Sequence, residues 1–179
     1  SFNPPSLKLC VEVCAYSAYL SGILISNPGM IDSLMDSLVL DKLPTHDSLQ
    51  RTLGELCHAA EDLDPILHSF KNDQHLCAGV RDILGKEDVA AVTGVLSDIA
   101  EACLAQIATQ EYDRLVAKFG VPTVGVGSRK GQPCEMAVVA MGKFGGREMN
   151  YHSDLDLVFL YEADGQTVPT RFAPRNQTT

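Results

Sequence analysis

The hydrophobic period of this chain changes once, near Pro122, and that change restricts the fold more than any other feature. Before it, apolar residues recur at intervals of three and four, the spacing of one face of an α-helix. After it they come in two short continuous runs, Met136–Met141 and Val158–Tyr161, which is the mark of strands. A chain patterned this way is expected to be mainly α with a small β part (α+β), an antiparallel helical bundle followed by strands.

Within the first 120 residues the helical spacing is punctuated. Ser6 to Ser26 carries Leu7, Leu9, Cys10, Val13, Cys14, Tyr16, Leu20, Ile23 and Leu24 as one helix. Asn27-Pro28 then stops it and starts a second, with Asn27 as N-cap, running to about Leu38 with Met30, Ile31, Leu34 and Met35 on its apolar face. Pro44, Thr45 and Asp47 mark a third start, followed by Leu49, Leu53 and Leu56. A fourth helix begins at Asp64-Pro65 and ends at Leu84, with Gly85 just past its end. The fifth runs from about Glu87 to Phe119 and is stopped by Gly120 and Pro122. Its stripe from Val92 through Ile99 and Ile107 to Val116 is expected to face the bundle core along its whole length.

Beyond the bundle (1–120), residues 121–134 are rich in Gly, Pro and Ser and read as a linker. Residues 135–161 read as the start of a second domain whose strands enter a core, the first being a buried strand. Residues 162–179 read as a polar tail, loop or disorder. With 45% hydrophobic residues in 179, the chain can bury one good core and part of another. A net charge of −9 argues against a nucleic-acid partner, because no basic patch is large enough to release many counterions. No run approaches 18 uninterrupted apolar residues, so no membrane span is expected. The six cysteines form no CxxC pair and read as reduced core thiols of a cytoplasmic protein. The opening SFNPPS carries neither an initiator Met nor a signal-peptide pattern, which suggests a piece of something longer.

The chemistry concentrates in Gly142–Leu157, GKFGGREMNYHSDLDL, between the two apolar runs. On a strand, Asp154 and Asp156 point to one side while Leu155 and Leu157 turn into the core. Two carboxylates at a strand mouth are hard oxygen ligands suited to Mg²⁺ or Mn²⁺ carrying a phosphate substrate. Asp154 and Asp156 are thus the expected catalytic and metal-binding pair. Gly145 and Gly146 let the backbone turn sharply and bring bare N–H groups to an anion. Lys143 adds a cation near a triphosphate, and Ser153 a hydroxyl beside the metal. Arg147 fits either a similar role or a surface position, and Glu148 is expected to hold the glycine turn by hydrogen bonding.

This ordered pattern resembles the nucleotidyltransferase superfamily typified by DNA polymerase beta, in which a Gly-Gly or Gly-Ser turn precedes a D-x-D strand. More closely, GKFGGREMNYHSDLDL resembles the G-K-x-G-G-x-E-L-x-x-x-S-D-x-D-L signature of the glutamine synthetase adenylyltransferase family, with Met149 at the Leu position. The resemblance implies that residues 135–161 hold the first two strands of a nucleotidyltransferase fold. It also implies ATP as substrate, Mg²⁺ or Mn²⁺ as cofactor, a glutamine synthetase tyrosine as the AMP acceptor or donor, and PII signalling proteins as partners. The third carboxylate of such a site is expected beyond residue 179, and the chain alone is expected to be inactive. Two alternatives stand beside this: a helical interaction module with an inactive motif, or a different nucleotidyltransferase.

Overall fold

The structure is a computed structural model that describes residues 4–31, 34–35 and 42–169. Its helices are α1 (Pro4–Tyr16), α2 (Ala18–Ser26), α3 (His46–Cys57), α4 (Asp64–Ile83), α5 (Val89–Phe119) and the single turn α6 (Gly142–Gly145). Four strands, β1 (Val121–Val124), β2 (Met136–Ala140), β3 (Leu157–Tyr161) and β4 (Gly165–Val168), form two antiparallel pairs, β1 with β4 and β2 with β3. The protein is therefore mainly α with a small β part, as the change of period implies.

Side-chain capping sets the helix starts. Thr45 and Ser48 form a reciprocal capping box at the head of α3, and Asp88 accepts from the Ala91 N–H at the head of α5. The segment Ser6–Ser26 is two helices rather than the expected one. Ser17 leaves the helical region (φ −143°, ψ 108°), and its hydroxyl accepts from the Leu20 N–H to start α2. Serine competes for backbone donors in this way wherever a break is sterically allowed. Asn27 is the C-cap of α2 and not an N-cap; its N–H donates to the Ile23 carbonyl. Residues 30–31 and 34–35 are helical, while the rest of the second expected helix, 32–33 and 36–38, lies outside the described residues.

The core has two parts that meet at α4. In the first, Leu49 and Leu53 of α3 and Leu67 and Phe70 of α4 enclose Val92, Val95, Leu96 and Ile99 of α5. In the second, α1 and α2 lay Val13, Leu20 and Ile23 against Leu76 and Val80 of α4. Gly79 makes that contact possible, since a Cβ there would sit 2.4 Å from Leu20 Cδ1. The stripe on α5 is buried only as far as Ala102. Ile107, Tyr112, Leu115 and Phe119, in its distal half, are exposed. This helix is long and apolar enough to cross a membrane by length and composition, and part of its apolar surface, in the first half, packs against α3 and α4.

The strand region departs further from expectation. Met136 and Val139 of β2 are 50% and 38% exposed, so β2 is not a buried strand. Among the described residues its sheet has two strands, and only Ala140 and Leu157, at the end nearest the bundle, pack against the helical core. The segment read as a linker contains β1, and the segment read as an unstructured tail contains β4. They pair from Val121↔Val168 to Val124↔Gly165, with β-branched Val and Thr offsetting the turn-rich composition around them. Residues 170–179 of that tail lie outside the described residues. All six cysteines are free, as expected of thiols, yet none is fully buried; Cys57 and Cys103 pack at the margin of the first core cluster, and Cys14 is exposed.

Candidate functional site

The antiparallel pair β2–β3 runs from Met136↔Tyr161 to Ala140↔Leu157, and a Met141 N–H to Asp156 carbonyl bond of 2.8 Å extends it by one step. The sixteen-residue connection from Met141 to Asp156 holds the motif. Phe144 and Met149 enter the first core cluster, and Tyr151 packs against both clusters. The motif is therefore seated on the bundle by apolar side chains that alternate with its exposed polar ones.

Asp154 and Asp156 are exposed and lie in the extended lead-in to β3, one turn of pleat earlier than the strand itself. Neither carboxylate takes part in a hydrogen bond or ion pair among the described residues. Asp156 rests directly over Gly142, where a Cβ would fall 2.5 Å from its Oδ2. Gly142 also has φ +53°, so a side chain there is excluded twice, by backbone conformation and by the carboxylate. Leu157 packs against the core as expected, but Leu155 does not; it is 40% exposed and lines a cavity of about 350 Å³ between α4, α5 and the motif.

The glycine turn differs from the expected arrangement of bare donors. The Gly145 N–H donates to the Met141 carbonyl and the Gly146 N–H to the Gly142 carbonyl, so both are satisfied within α6. Gly145 is needed for closeness, because a Cβ would meet the Ala140 carbonyl oxygen at 2.5 Å. The turn closes with Arg147 N–H to Phe144 carbonyl and Glu148 N–H to Lys143 carbonyl bonds, the two bonds of a Schellman ending. Glu148 thus holds the turn through its backbone, and its carboxylate makes no hydrogen bond among the described residues. Lys143 is exposed and forms no ion pair among the described residues. Ser153 is occupied: its hydroxyl donates to Asn150 Oδ1 at 3.0 Å and accepts from the Asn150 N–H at 3.0 Å.

Three contributors carried little or no signal in the sequence. Asn150 ties down the turn before the carboxylates, and its spacing of three from Ser153 was the available clue. Tyr151 joins an aromatic cluster with Tyr19 and His75, in which His152 lies 4.9 Å from Tyr19 between ring centroids. Burial, followed by the nearby charge of Asp82, pushes the Tyr151 phenol upward. Burial, reinforced by Lys71 and His152, depresses His75 from 6.5 to about 4, so it is a neutral histidine facing the Tyr19 hydroxyl at 2.8 Å. The third contributor is a charge network: Arg147 reaches Asp98 at 2.7 Å and Glu101 at 4.0 Å, with His46 Nδ1 3.3 Å from Asp98. His46, Asp98 and Glu101 offer ligand atoms within 4.8 Å of one another, and the Arg147 guanidinium offsets part of their charge.

A family model described as glutamate-ammonia ligase adenylyltransferase matches residues 7–178. The chain belongs to that family. The bifunctional glutamine synthetase adenylyltransferase/adenylyl-removing enzyme of Burkholderia mallei is 34% identical over 146 residues, covering 80% of this chain and 14% of that protein. The enzymes of the same description from Pasteurella multocida and Mannheimia succiniciproducens are 32% and 33% identical, each covering more than nine-tenths of this chain and 17% of their own length. The chain therefore spans less than a fifth of the length of these relatives.

Proposed function

We propose that this chain contributes the helical support and the phosphate- and metal-binding motif of an enzyme that moves AMP from ATP to a tyrosine of glutamine synthetase, or removes it by phosphorolysis. The observation that carries this reading is the pair of exposed, unengaged carboxylates of Asp154 and Asp156 at the mouth of β3, beside a glycine turn seated on the bundle. Hard oxygen donors free of internal partners suit Mg²⁺ or Mn²⁺. Asp154 and Asp156 would hold the metal, which supplies charge neutralisation for nucleotidyl transfer.

The remaining residues divide the work. Lys143 places an exposed cation at the turn for the triphosphate. Gly142 leaves room for the Asp156 carboxylate, Gly145 keeps the turn tight against β2, Gly146 caps it, and Ser153 fixes the approach to Asp154 through Asn150. Glutamine synthetase as the protein substrate is supported by the descriptions of the relatives. PII signalling proteins as regulatory partners, and a cytoplasmic location, rest on the family resemblance. The chain's net charge of −9 favours a metal-borne nucleotide over a nucleic acid, and no membrane is part of the proposal.

Titrating Mn²⁺-ATP into the chain by calorimetry tests the reading. Binding is expected for the wild type and lost in Asp154→Asn and Asp156→Asn. Equal heat from the doubly substituted chain would exclude these carboxylates as the metal ligands.

A further inference from the structure

Two helices of this protein end in the same backbone motif with different residues at its key position. At the end of α4, the Gly85 N–H bonds the Asp82 carbonyl and the Lys86 N–H bonds the Arg81 carbonyl, with Gly85 at φ +63°. At the end of α6 the same two bonds form around Arg147, at φ +58°. Glycine takes this left-handed position without steric cost, whereas an L side chain there costs about 1 kcal/mol. An arginine in a place that suits glycine brings a long cation to the turn, and its contacts show where that cation goes.

That side chain leaves the motif and crosses to the bundle. Nη2 lies 2.7 Å from Asp98 Oδ1 and donates to the Gly94 carbonyl at 3.4 Å, while Nη1 lies 4.0 Å from Glu101. Asp98 is only 13% exposed and also faces His46 from α3, so the α5 carboxylate that receives the guanidinium is itself held from a second helix. Phe144 and Met149 fix the depth of the turn, but apolar contacts leave its rotation about the bundle surface poorly defined. A planar fork held at several oxygens defines direction.

We propose that Arg147 is a positioning residue that locks the Gly142–Arg147 turn to α5 and thereby sets the turn against the Asp156 carboxylate. The inference rests on the functional reading above for its consequence, though not for the clamp itself. Because the guanidinium is half-exposed, the pair adds little to global stability; its effect is local.

The test compares the wild-type chain with Arg147→Gly, Asp98→Ala and the double variant. Arg147→Gly suits the left-handed backbone and keeps the chain folded. Amide exchange across residues 143–150 is expected to quicken about fivefold in each variant, with the double no faster than either single. The thermal midpoint of the bundle should stay within about 3 °C of wild type. Mn²⁺-ATP affinity should fall about fivefold in Arg147→Gly and equally in Asp98→Ala. Unchanged exchange in Arg147→Gly would overturn the clamp. Weakened nucleotide binding in Arg147→Gly but not in Asp98→Ala would overturn positioning in favour of direct contact with the ligand. If the wild-type chain takes up no Mn²⁺-ATP, the functional reading fails while the exchange comparison still decides the clamp.

Discussion

The helical bundle and the β2–β3 pair both carry apolar residues, yet they bury them very differently. Leu53 and Ile99 are completely enclosed, whereas Phe159 and Tyr161 are 57% and 67% exposed. The contrast shows that a stripe of apolar residues on a helix finds its cover among neighbouring helices of the same chain. A strand is covered only where a further layer lies over its face, and among the described residues that cover reaches only Ala140 and Leu157. The motif lies at the boundary, with Phe144, Met149 and Tyr151 on the buried side and Lys143, Asp154 and Asp156 on the open one.

The sharpest way to break this comparison is to delete core volume. Ile99→Ala should lower stability by about 3–4 kcal/mol in a denaturant melt, because α3 and α4 surround the side chain on every side. Acid provides the next effect. His75 is neutral in the folded protein down to about pH 4, while an unfolded chain takes up its proton near 6.5. Stability should therefore be flat above pH 6.5 on this account and fall between 6.5 and 4, by roughly 3 kcal/mol in full. Replacing His75 with Leu should flatten that part of the pH profile, and an unaltered slope would assign the loss to other groups.

Gly142→Ala tests the boundary itself. It forces a Cβ into φ +53° and onto the Asp156 carboxylate, so a cost of about 1–2 kcal/mol is expected, with weakened Mn²⁺-ATP binding. Phe159→Ala should be the mildest, at under about 1 kcal/mol, because the ring is largely in water already. A loss as large as that of Ile99→Ala would mean that the strand pair is covered after all.

Local sequence carried much of this fold. The starts at Thr45 and Asp88 follow from side-chain capping, the start at Asp64 from Pro65 in the first turn, and the stops at Gly85 and Gly120 from left-handed glycines, all of which act over three or four residues. The G-K-x-G-G and D-x-D elements were legible for the same reason, and so was the family. Where expectation failed, the deciding contact was distant or compensated. Ser17 broke a helix whose apolar spacing continued through it, and β1 and β4 found each other across forty residues of intervening chain. Turn-rich composition concealed both strands, because pairing energy comes from a partner that no local window contains.

By itself the sequence determined the class of the fold and the family, and it singled out Asp154 and Asp156 as the proposed ligands of a metal-borne nucleotide, since periodicity, capping and carboxylate spacing are local properties. Only the tertiary structure decided that the Gly145 and Gly146 N–H groups are satisfied within their own turn, that Asp156 lies over Gly142, and that Arg147 reaches Asp98. Those facts depend on how α5 and the β2–β3 pair converge on the motif, and convergence of elements far apart in the chain leaves no pattern in any one of them.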